Sequence, residues 1–162
     1  MTQPVKVLSK LHALACAAAF ALVATGGVAA YAADAANAKQ AIAVQNAWVR
    51  WLPNNLPSAA YVTLVNSSDK PIDLVDISSA DYGMAMLHQT VSNGSTQKMV
   101  MVDKLTVPAH GQAAISPGGY HVMLEDAKRR IAPGDTVHLK LQFSDGETLD
   151  APFAVKSPAQ TK

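Results

Sequence analysis

The chain has 162 residues, is 49% hydrophobic and 15% charged, and carries a formal net charge of +1 with a single cysteine and five histidines. That length suits one domain with a real core. So small a charge excludes the basic face or stripe of a nucleic-acid binder. The N-terminal segment begins with Lys6 and Lys10, runs through an apolar, alanine-rich stretch from Ala13 to Ala24, and ends in small residues. A basic head, an apolar centre and an A-x-A site are the parts of a secretory signal peptide, here residues 1–32, cut after Ala30-Tyr31-Ala32. The apolar run falls short of the ~20 residues of a membrane span, which weighs against an uncleaved anchor. Ala13-Leu14-Ala15-Cys16 faintly resembles a lipoprotein box, but the apolar stretch before the cysteine is too short, and that reading is set aside. Cleavage at Ala33 removes Cys16, Lys6, Lys10 and His12 and leaves a net charge of −1. The mature chain therefore enters an oxidising compartment with no thiol to lose.

Residues 33–40 have no apolar period and read as a flexible leader. From Ile42 onward short runs alternate with period two, predicting strands at 41–50, 59–66, 72–78, 84–91, 98–102, 112–116, 121–125, 136–143 and 149–155. Turn residues separate them, as in Ser92-Asn93-Gly94-Ser95 and Pro117-Gly118-Gly119. Many short strands and no sustained helical period predict an all-β Greek-key sandwich or barrel. In Val137-His138-Leu139-Lys140-Leu141-Gln142-Phe143 the odd positions face the core and His138 faces solvent. His110 lies in a turn; it and His138 read as surface residues, with a weak second metal site as the alternative, and residues 157–162 read as a disordered tail.

Five of the six methionines fall between Met84 and Met123, with His88 and His121 among them. Strand alternation puts Met84, Met86 and His88 on one face, Met99 and Met101 on one face of the next strand, and His121 and Met123 on one face of a third. Methionine is a common gap-filler, so a methionine-packed core is the plain alternative. Three strands each presenting thioether or imidazole on one face nevertheless suit a metal site better than a dry core. Soft, uncharged thioethers select Cu(I) over zinc or hard cations. They need no deprotonation and cannot form disulfides.

His88, ten residues, Met99, twenty-one residues, His121, one residue and Met123 spell H-x10-M-x21-H-x-M. This signature resembles that of the periplasmic copper chaperones called PCu(A)C. Ala47-Trp48-Val49-Arg50, Pro117-Gly118-Gly119-Tyr120-His121-Val122-Met123-Leu124 and Phe143-Ser144-Asp145-Gly146 are similar to the family's flanking segments. The resemblance covers about residues 44–155. It implies a cupredoxin-like sandwich, here residues 41–156, that binds one Cu(I) per chain through His88, Met99, His121 and Met123. It also implies a periplasmic monomer that carries copper to an accepting protein, chiefly the dinuclear copper centre of cytochrome c oxidase. The Met- and His-rich tail of some members is not matched, since residues 156–162 contain neither residue type.

Beside the resemblance, Met86 and Met101 are expected to pack around the site, with transient acceptance of copper as the alternative, and Tyr120 and Trp48 to serve as core or surrounding residues. Lys128-Arg129-Arg130 reads as a solvated connection, with steering of an acidic partner as the alternative. An electron-transfer cupredoxin would need a cysteine ligand that the mature chain lacks. An Ig-like structural module explains the fold but not the ligand spacing. A copper storage or tolerance role would use the same ligands. No paired carboxylates or Ser/His/Asp arrangement suggests catalysis, so the chain is not expected to be an enzyme.

Overall fold

The computed structural model describes residues 40–53 and 56–160. The expected signal peptide and all of the leader but Gln40 lie outside the described residues. Ten strands are seen: β1 (Ile42–Arg50), β2 (Ser58–Asn66), β3 (Ile72–Ser79), β4 (Tyr82–Ser92), β5 (Gln97–Met101), β6 (Leu105–Val107), β7 (Gln112–Ile115), β8 (Tyr120–Ala127), β9 (Thr136–Phe143) and β10 (Thr148–Lys156). No α-helix occurs among the described residues. Hydrogen bonding links nine of the strands in the order β5-β4-β8-β2-β1-β10-β9-β3-β6. The pairings are antiparallel except for β1 with β10, which is parallel.

One edge of β2 serves two partners, β8 along Ser58–Ala60 and β7 along Val62–Val65. The chain thus leaves β7, turns through Pro117-Gly118-Gly119 and re-enters the sheet as β8. Gly118 takes φ 84° behind Pro117, and the Gly119 N–H donates to the Ser116 carbonyl at 3.1 Å, the pattern of a type II turn. Register shifts in β1 between Gln45 and Trp48, with Asn46 at φ 53°, and in β3 between Leu74 and Asp76 add local bends. The bent sheet closes on itself far enough for β3 to lie against β4 without pairing to it.

The interior follows from alternation. In β9, Val137, Leu139, Leu141 and Phe143 are buried and the residues between them exposed. In β10 the same holds for Leu149, Ala151, Phe153 and Val155. Pro152 is tolerated within β10 because β1 joins that strand only from Ala154 onward, so no ladder bond is lost there. The two largest fully buried side chains, Phe143 and Phe153, sit among Leu64, Leu74, Leu124 and Leu139.

One strand, β6, escapes the sequence reading: three residues, Leu-Thr-Val, are too few for alternation to register. In the segment read as a tail, Pro158–Gln160 form a 3-10 turn, and residues 161–162 lie outside the described residues. The Gln160 side-chain oxygen accepts from the Ser157 N–H and hydroxyl.

Candidate metal centre

β8, β4 and β5 lie side by side, and the inward residues of β4 and β8, Leu87, Val122 and Leu124, belong to the core. The residues between them therefore point out. Register then decides who meets whom. His88 stands opposite His121 across β4 and β8, and opposite Met101 across β4 and β5. Met86 stands opposite Met123, and Met99 opposite Thr90. Facing residues in an antiparallel pair have Cβ atoms ~4.5–5.5 Å apart, and diagonal neighbours remain within reach of long side chains. The outer face of three strands thus gathers two imidazoles and four thioethers around His88.

The two rings are 5.7 Å apart, centroid to centroid, and meet nearly edge to face at 83°. His121 is buried beside the turn that precedes it. Burial pushes its imidazole below the usual value of 6.5, the Gly119 backbone pulls it part-way back, and His88 lowers it further. The neutral ring, the metal-binding form, is thereby favoured. His88 Nδ1 is buried without a hydrogen-bond partner. A buried nitrogen left without a partner is costly unless something else uses its lone pair.

Met99 is 61% and Met101 67% exposed. The packing role expected of Met101 therefore does not hold, because an edge-strand side chain so open to water is not filling a gap. Met86 and Met123 are half-buried, and Met84, opposite Glu125, is exposed one step farther from His88. The hairpin turn at Ser92-Asn93-Gly94 sets this register, with Gly94 at φ 89° and the Asn93 N–H donating to the Thr96 carbonyl. No sequence pattern gave the Met101–His88 pairing, which depends on the length of that turn.

Among the described residues no three His, Cys, Asp or Glu side chains cluster as a metal site. The donors gathered here are imidazole and thioether, the set suited to a soft monovalent ion. Tyr120 packs against the core as expected. Trp48 stacks on Tyr61 at 4.5 Å, with Arg50 and Lys156 over its ring. His110 and His138 are exposed, as expected, and each meets a carboxylate, Asp69 and Asp150, at 2.7 Å. In the basic cluster, Arg129 bonds Asp81 through Nε at 2.6 Å and the Thr136 carbonyl through Nη2 at 3.0 Å. Its middle residue is a tie between segments rather than a freely solvated cation.

Residues 42–155 match the sequence profile of a family described as "Putative lipoprotein LpqE-like", and the chain belongs to that family. A Leifsonia xyli subsp. xyli protein also named as a putative lipoprotein is 31% identical over 121 residues, covering 73% of this chain and 72% of its own. An uncharacterized Rickettsia prowazekii protein is 36% identical over 89 residues, 54% of this chain, and the chain spans about half, 49%, of that relative's length. The copper-bound PCuAC domain of PmoF2 superposes with a TM-score of 0.61 at 25% identity, covering 74% of this chain and 95% of that domain. The solution structure of Cu(I)-DR1885 from Deinococcus radiodurans does so with a TM-score of 0.59 at 39% identity, covering 77% and 85%. The fold is the cupredoxin-like sandwich of the PCuAC domains, and the expected family resemblance holds.

Proposed function

We propose that the protein is a Cu(I) chaperone that holds one ion per chain at His88, Met99, His121 and Met123. The observation that carries this reading is the His88–His121 cross-strand pair, flanked by thioethers, with His88 Nδ1 buried and unpartnered. Two neutral imidazoles and two thioethers would leave a net charge of +1 on the bound ion and require no thiol. The copper-bound PmoF2 domain and Cu(I)-DR1885 support copper as the cargo.

Thioethers bind Cu(I) more weakly than thiolates, so transfer to a partner's cysteines runs downhill by stepwise ligand exchange. Exposed Met99 is the ligand placed to leave first. The recipient in this reading is a copper-accepting protein, first among them the dinuclear copper centre of cytochrome c oxidase, with the chaperone acting as a monomer. The lipoprotein names among the relatives support export, and the signal peptide would release the chain into the periplasm. Neutral soft donors make Cu(I) a poor Lewis acid, so the site is read as a carrier and not as a catalyst.

An anaerobic Cu(I) titration against a competing chromogenic chelator tests the site. The purified protein is expected to take one tight equivalent, with His88→Ala and Met123→Ala each weakening it at least about tenfold, the loss of ~1.4 kcal/mol or more. Binding indifferent to both substitutions would return the methionines to a structural role.

A further inference from the structure

We propose that Met86 and Met101 form a second, weaker soft-metal site, a resting place for the ion beside the first; this rests on the reading that the outer face of β4, β5 and β8 binds Cu(I). Both residues line one cavity of about 240 Å³, in the seam where β3 lies against β4. Neither belongs to the four-residue signature. Each is nevertheless the direct cross-strand neighbour of a residue that does, Met101 of His88 and Met86 of Met123. An ion held between them therefore has a primary ligand one step away on each side.

Packing does not account for Met101. Met101 is mostly in water, and an exposed methionine on an edge strand contributes little to burial while adding apolar surface. The same cavity is also lined by Asp76 and Asp103, both exposed. Among the described residues neither carboxylate takes part in an ion pair. Carboxylates beside uncharged donors lower the potential for a monovalent cation without supplying a hard coordination shell. The cavity thus attracts the charge electrostatically and holds the soft ion by sulfur. Passage to the first site exchanges a Cu–S bond to Met101 for a Cu–N bond to His88. The ion stays Cu(I) throughout, and no proton or electron is lost.

Silver(I), a redox-inert stand-in for Cu(I), tests the site in the full chain carrying [13C]methyl-methionine. Two equivalents are expected by NMR. The first shifts the methyl groups of Met99 and Met123, and the second, weaker one those of Met86 and Met101. Met86→Leu/Met101→Leu, a nearly volume-conserving pair of changes, is expected to abolish the second equivalent and keep the first. His88→Ala/Met123→Ala is expected to do the reverse. If the double leucine variant does not fold, Met101→Leu alone, at an exposed position, carries the same test. A single equivalent in the wild type, a second that survives the leucine substitutions, or all four methyl groups shifting together with the first would overturn the proposal. Loss of the first equivalent from the wild type would instead count against the chaperone reading itself.

Discussion

Asn66 and His88 show how the same chain treats two polar side chains taken out of water. Asn66 is 1% exposed, yet its amide donates to the carbonyls of Lys70 at 2.8 Å and Val107 at 3.1 Å. Its side-chain oxygen accepts from the Ser68 N–H and hydroxyl. The bonds with Lys70 and Ser68 close the β2–β3 turn, and the bond to Val107 ties that turn to the end of β6. Asn66→Ala leaves the buried Val107 carbonyl without its partner, and the cost of an unmet buried group is about 1–3 kcal/mol. Urea unfolding is expected to show that loss as a lower midpoint with an unchanged slope, while Cu(I) affinity stays as in the wild type. His88 Nδ1 has no such partner. One side chain is satisfied for the sake of the fold; the other is left open.

At the level of the element, β5 stands apart. It is the edge of the sheet, and all five of its residues are exposed. Stability here rests on the ladder to β4 alone, so Gln97–Met101 are expected to exchange their amide hydrogens faster than the other paired strands. One equivalent of Cu(I) bound through Met99 would tie β5 to β4 and β8 and slow that exchange. Exchange unchanged by copper would remove Met99 from the ligand set. Strands of this kind also mark the limit of what sequence can tell. β9 and β10 were legible because one face is buried and the other wet, which writes period two directly into residue type. β6 was too short for that. The faces carrying His88, Met99, His121 and Met123 were legible for the same reason as β9, but neighbours across strands were not. Met101 meets His88 only because the hairpin at Gly94 fixes the register, and a shift of one residue would turn its side chain to the other face.

For the whole molecule, acid is the informative perturbation. The folded chain holds His121 below 6.5, so in the window beneath that value the unfolded chain binds the proton more readily and stability falls as pH drops. Asp81, lowered from 3.8 chiefly by its bond from Arg129, adds stability that is complete above that value and is lost as pH falls through the folded one. Glu147, raised above 4.5 by burial and by Asp145, works in the opposite sense, since its folded form takes up a proton first. The urea midpoint of the metal-free protein is therefore expected to be level in His121's contribution above pH 6.5 and to decline just below it. His121→Gln should flatten that first decline. The division between inward and outward residues on β4 and β8 has a further consequence for descent and for engineering. Leu87, Val122 and Leu124 hold the shape, while His88, His121 and Met123 occupy the alternate positions of the same two strands. If the proposed site holds, cargo and architecture are written in separate letters of one text, and a lineage, or a designer, could change which metal is carried without rewriting what keeps the chain folded.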